Sequence, residues 1–114
     1  MSRRADIVRE CFRAYETGDR SLVERHLAED FVFFSPADPG IDLATYWQRC
    51  WPNAENLGSA DFVRVLESGD TVVVTVEITR ADGTRFRNTE AHTFAGDKII
   101  RAEVYFGWDL PAAP

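Results

Sequence analysis

Asn88, Glu90 and His92 occupy alternate positions in the run from Arg87 to Phe94. Successive side chains of a strand point to opposite faces, so an amide, a carboxylate and an imidazole fall in one row, spaced by about 6.6 Å, two strand rises of about 3.3 Å. Lining a cavity, such a row is an acid-base apparatus, with His92 as general base and Glu90 as acid or as the group that orients it. Asn88 would then hold a substrate carbonyl. Facing water, the same row is ordinary surface, and Glu90 pairs across the strands with Arg87 or Arg101. Spacing puts the three together without choosing between these readings, because a one-residue slip of register swaps the faces.

The other reactive residue types offer less. Cys11 and Cys50 are far apart, in no C-x-x-C pattern, and fall on apolar helix faces, which suits buried, inert thiols. The two histidines and two cysteines match no zinc-ligand spacing, and His26 reads as a packing or surface residue. Asp38 and Asp42, in the segment Pro36 to Leu43, read as turn and cap residues rather than as a carboxylate at a cavity mouth. Tyr46, Trp47 and Trp51 recur at helical spacing, which suits core packing or the wall of a pocket for a flat apolar ligand. Tyr15, one turn after Cys11, is either core or a phenol for such a pocket. The chain carries no fingerprint for phosphate, nucleotide, flavin or metal, so chemistry without a cofactor or metal is the expectation.

These residues need elements to position them. Ile7, Val8, Cys11, Phe12 and Tyr15 recur at helical spacing ahead of Gly18, which can end the helix in a left-handed conformation. Ser21 and Glu24 have the spacing of a capping box for a short second helix through Leu27. Phe31 to Phe34 reads as a strand stopped by Ser35-Pro36. Asp42 can cap a third helix, over Leu43 to Trp51, that Pro52 halts. From Asp61 the period becomes two, over Phe62 to Leu66, Val72 to Ile78, Phe86 to Phe94 and Ile99 to Phe106, with turn signals at Gly69-Asp70, Asp82-Gly83 and Gly96-Asp97. Helices first and a four-stranded antiparallel meander afterwards describe an α+β domain, a curved sheet wrapped over helices. At 114 residues the chain is one domain, 1–114, with its core at about 5–109 and a frayed tail at Ala112-Ala113-Pro114.

Thirteen basic against nineteen acidic residues leave a net charge of −6, with no basic cluster, which argues against a nucleic-acid partner. No apolar stretch is long enough for a membrane span or a signal peptide, so a cytoplasmic location without membrane association is expected. Eight Phe, three Tyr and three Trp are too many large apolar groups to leave in water and call for a core, a pocket or an interface. The alternate set of the later strands, including Val63, Val65, Val73 and Tyr105, predicts a homodimer through the convex sheet face.

The element order, Tyr15-Glu16-Thr17-Gly18-Asp19 closing the first helix, Leu27-Ala28-Glu29-Asp30-Phe31 entering the first strand, and His92 to Ile100 at the last hairpin resemble SnoaL-like and ketosteroid-isomerase-like proteins of the nuclear-transport-factor-like superfamily. The resemblance covers about residues 5–109. It implies a cone-shaped, curved antiparallel sheet around the N-terminal helices, enclosing a pocket for a small apolar or aromatic molecule. The isomerase's general-base Asp falls on Ser35 and its oxyanion-hole Tyr on Cys11, while its protonated Asp, a carboxylic acid kept neutral by an apolar site, falls near Glu90. Two of three functional groups differ, so steroid isomerisation by that mechanism does not transfer. What the resemblance implies is a small-molecule-binding domain: an isomerase, cyclase or dehydratase working by acid-base proton transfer, or a binding or dimerisation module of the same fold. The candidate site is then His92 and Glu90 for catalysis, with Asn88, Trp47, Trp51, Tyr15, Ser35 and Phe106 for substrate binding.

Overall fold

The computed structural model describes residues 2–112, so Ala113 and Pro114 of the expected frayed tail lie outside the described residues. The apolar stripe of the first segment forms helix α1, Arg3–Thr17. Ser2 caps it by accepting from the Ala5 amide at 3.1 Å, and Gly18, at φ 74°, ends it by donating to the Ala14 carbonyl. Helix α2, Ser21–Glu24, is a single turn, shorter than the spacing predicts. The capping box does not form. Asp19 takes that role, accepting from both the amide and the hydroxyl of Ser21, while Glu24 pairs with Arg20. His26 lies in the turn beyond, buried, with Glu10 at 3.1 Å from its Nε2.

Strand β1 spans Leu27–Ser35, and β2, Asp38–Asp42, returns beside it. The sequence pattern alone predicts a loop where β2 forms. Its Pro39 and Gly40 are tolerable because β2 is an edge strand with one unpaired side. Asp42 then caps helix α3, Leu43–Arg49, accepting from the Thr45 amide at 2.9 Å. Pro52 lies in the first turn of a 3-10 helix, Trp51–Asn56, rather than ending the ordered segment. Strands β3 (Leu57–Ser68), β4 (Thr71–Arg80), β5 (Arg85–Ala95) and β6 (Lys98–Leu110) form the predicted antiparallel meander, turning at Gly69, Gly83 and Gly96, all with positive φ.

The six strands run in the order β2-β1-β6-β5-β4-β3. One pair departs from the antiparallel expectation: β1 runs parallel to β6, with Phe33 opposite Ala102. The sheet is therefore mixed, and it curves over α1 and α3. Val72, Val74 and Val76 of β4 are fully buried on the inner face beside Ile7, Val8 and Phe12 of α1. Antiparallel partners share a face, which settles the orientation of the polar row: His92 is opposite Val72, Glu90 opposite Val74 and Asn88 opposite Val76, so all three point inward.

The outer face is more polar than the sequence pattern suggests. A bulge between Phe62 and Arg64 shifts β3, turning Val65 inward against Val74, where it packs on the core. Outward side chains between the flanking strands include Thr75 hydrogen-bonded to Thr89, and Glu77 paired with Arg87. Val63, Leu66, Tyr105 and Trp108 remain exposed, on β3 and β6 at either side of this polar strip.

Candidate active site

Where the curved sheet lifts away from α1 and α3 it leaves a cavity of about 280 Å³. Its floor is Glu90 and His92 of β5 with Val104 and Phe106 of β6. Cys11, Phe12 and Tyr15 of α1 and Tyr46 of α3 form the opposite wall, and Ser35 and Asp38 close one end. Phe106 and Asn53 are exposed, so the cavity opens to solvent on their side.

His92 Nε2 lies 3.2 Å from Glu90 Oε1, with both side chains largely buried. The contact is off the axis of a hydrogen bond, and neither imidazole nitrogen has an aligned protein partner. The contact becomes an ion pair only when the imidazole carries a proton, and that attraction depends on separation rather than direction. The Phe12 ring stands edge-on to the imidazole with centroids 6.4 Å apart, fixing its plane. Among buried polar groups, orphaned nitrogens are rare, and here they belong to a residue that lines a cavity.

The phenols of Tyr15 and Tyr46 meet at 2.6 Å. Two hydroxyls sharing one hydrogen bond leave one phenolic proton free to donate elsewhere. Burial pushes both phenols well above the ordinary range, so they stay protonated donors. Burial, followed by the charges of Glu10 and Glu90, pushes the Cys11 thiol up to about 12. Cys50, half-buried at the end of α3, is pushed up to about 11 by burial and then by Asp38. Neither thiol has the thiolate character of a nucleophile.

Asp38 has the sequence signature of a turn residue, yet it is buried and lines the cavity. Ser35 Oγ donates to its Oδ2 at 2.8 Å and accepts from the Ala37 amide, so the β1–β2 turn itself aims the carboxylate inward. Arg49 Nε comes within 2.7 Å of Oδ1, again off the hydrogen-bond axis. The usable sequence signal is Ser35 three residues before Asp38, the spacing at which a serine hydroxyl can brace a turn carboxylate.

Of the residues proposed from sequence, His92, Glu90, Tyr15, Ser35 and Phe106 line this cavity, and Asn88, Trp47 and Trp51 do not. Asn88 points inward but lies beyond the rim, where its Oδ1 accepts from the Gly107 amide at 3.3 Å. Trp47 packs against Tyr46 and Trp51, with the Arg20 guanidinium 4.1 Å above its ring. Trp51 supports Tyr15 from behind, with ring centroids 4.9 Å apart. Tyr46 takes the wall position that helical spacing offers equally to the tryptophans. Among the described residues no three His, Cys, Asp or Glu side chains cluster to hold a metal ion.

A SnoaL-like domain matches residues 8–102, most of the chain, from within α1 to within β6. The chain belongs to the SnoaL-like family. Solved structures with the same fold include an NTF2-like protein from Cytophaga hutchinsonii, 19% identical, covering 94% of this chain and 92% of its own, with a TM-score of 0.74. A Kribbella flavida protein provisionally named a ketosteroid isomerase is 17% identical over 97% of this chain and 82% of its own, TM-score 0.77. A Streptomyces galilaeus protein provisionally named a hydroxylase is 16% identical over 97% of this chain and 84% of its own, TM-score 0.80. At such identities these likenesses concern the fold, on which SnoaL-like proteins and their relatives carry different chemistries. No curated protein sequence matches the chain. No helix among the described residues of this SnoaL-like domain is long and apolar enough to cross a membrane.

Proposed function

We propose that this SnoaL-like domain binds a small, largely apolar molecule and catalyses proton transfer at a carbon next to its carbonyl, the step common to isomerases, cyclases and dehydratases. The observation that carries this reading is the approach of His92 Nε2 to Glu90 Oε1 at 3.2 Å on the floor of an apolar cavity. An imidazole nitrogen with no protein partner takes the proton from carbon. The Glu90 carboxylate stabilises the imidazolium that results, and the spare phenolic proton of the Tyr15–Tyr46 pair donates to the oxygen that gains charge. The proton then returns from the imidazolium to another carbon or to a leaving oxygen, closing the cycle. The volume, near the lower end of the roughly 300–1,000 Å³ of ligand pockets, supports a substrate of one or two rings.

The test is exchange of the α-protons of 2-tetralone in D2O, followed by proton NMR. The wild-type protein accelerates exchange, and His92→Gln and Glu90→Gln each lower the rate by about 10²–10⁴, the usual worth of a positioned acid or base. A ketone that binds but exchanges at the buffer rate would leave a binding module without chemistry. The exposed Leu66, Tyr105 and Trp108 of the outer sheet face further support a homodimer through that face, and the proposed site of action is the cytoplasm.

A further inference from the structure

Proteins pair nearly all of their buried polar atoms. Among the described residues, three buried side-chain atoms without an aligned partner belong to residues that line this one cavity: both His92 nitrogens and Asp38 Oδ1. Proton transfer accounts for the imidazole. It leaves Asp38 unused.

We propose that Asp38 determines specificity: its carboxylate accepts a hydrogen bond from a hydroxyl group of the substrate, so the pocket selects a hydroxylated ring compound over the same compound with that hydroxyl methylated. The inference rests on the reading of the cavity as a small-molecule site. Three features of the turn choose the hydroxyl. Ser35 donates to Oδ2 and Arg49 meets Oδ1 off the hydrogen-bond axis, so the carboxylate keeps lone-pair capacity for one more donor. Arg49, 2.7 Å from Oδ1 and also donating to the Ala37 carbonyl, holds the turn in place and offsets the carboxylate charge. A cationic ligand group would meet that guanidinium and an anionic one would meet Asp38 and Glu90, whereas a neutral donor meets neither penalty. Phe33, Ile78, Val104 and Phe106 supply the apolar surface for the rest of the ring.

The hydroxyl would lie at the Asp38 end of the cavity and the reacting carbon at the His92 end, which gives the substrate a polar group at each end of an apolar body. Methylation removes the donor and adds bulk against a buried acceptor. Discrimination by a hydrogen bond that a competitor cannot make is the strongest kind a pocket of this size can achieve.

The experiment compares 4-ethylphenol with 4-ethylanisole, neither of which can undergo the proposed reaction, by NMR titration of the wild-type protein and three variants. Wild type binds the phenol on the order of tenfold more tightly, as expected for a hydrogen bond to a charged acceptor. Asp38→Ala brings the two affinities within about twofold. Asp38→Asn keeps the side-chain shape and the turn, and the preference falls severalfold, so the inference stays testable if the alanine variant does not fold. His92→Gln leaves the preference intact. Equal wild-type affinities, no binding of either probe at millimolar concentration, a preference unchanged in Asp38→Asn, or one lost in His92→Gln would each overturn the assignment. Because these titrations need no turnover, a failed exchange assay with an intact phenol preference separates the anchor from the catalytic reading, and the reverse outcome does the same.

Discussion

Replacing Cys11 by serine should flatten the alkaline limb of the protein's stability. The thiol is 9% exposed, and burial, with the charges of Glu10 and Glu90, raises it from 9.0 to about 12. In the folded protein it therefore stays protonated where the unfolded chain ionises. A folded value raised above the unfolded one means stability that is fully present below about pH 9 and is lost as pH rises toward 12. At pH 10, one unit above the unfolded value, the loss from this group is about 1.4 kcal/mol. Serine does not titrate, so the variant lacks this term. It begins less stable at neutral pH, by about 1–3 kcal/mol, because its hydroxyl is buried where a thiol fitted. Cys50 and the two phenols, also raised, tilt the curve the same way in both proteins and cancel in the difference. Urea unfolding under reducing conditions at pH 7, 8, 9 and 10 gives the comparison. The gap between wild type and Cys11→Ser should narrow by about 1.4 kcal/mol from pH 8 to pH 10. Parallel curves would show that Cys11 is hydrated in the folded state, and its burial on the α1 wall of the cavity would be wrong.

Gly107→Ala should destabilise the protein by roughly 1–3 kcal/mol or more, because a Cβ there would sit 2.2 Å from the Arg87 carbonyl oxygen and force the β5–β6 bulge apart. A melting temperature equal to wild type refutes the close approach. Trp47→Ala should lower stability by less than the roughly 3–5 kcal/mol of a fully buried aromatic and leave 4-ethylphenol affinity unchanged, since the ring packs outside the cavity. A tenfold loss of affinity in a folded variant would bring Trp47 back into the site. Light scattering at micromolar concentration should give twice the 12.9 kDa chain mass, and Tyr105→Glu with Trp108→Glu should halve it. A monomeric wild type ends the dimer proposal.

The sequence carried the helices and hairpins because their signals are local. Apolar spacing with Gly18 marked α1, Asp42 marked the start of α3, and Gly69, Gly83 and Gly96 marked the turns of the meander. The polar row of β5 was legible as a row, and its facing was not, since that depends on which residues β4 and β6 bring alongside. Asp38 was hidden for a related reason. Asp38-Pro39-Gly40 has the composition of a turn, and only pairing with β1 makes it an edge strand whose first side chain is buried. Val65 was misread because the bulge at Val63 adds one residue to β3, which alternation counted along the sequence does not register. Trp47 and Trp51 satisfied a pattern that core and pocket wall share, and it is the crossing of α3 over β1 that gives the wall to Tyr46.

The parallel pairing of β1 with β6 also sets the order in which the molecule can be made. Phe33 and Ala102 are roughly seventy residues apart, so their contact closes a long loop and comes late relative to the hairpins of the meander. Ser35 and Asp38 belong to the β1–β2 side, Glu90 and His92 to the meander, and β6 is the seam between them. Before that seam closes, the meander can exist without a binding pocket. On the proposed reading of the cavity, a bound molecule bridging the two halves would act as a latch on this late contact: it should slow amide exchange along Val32 to Phe34 far more than along β4.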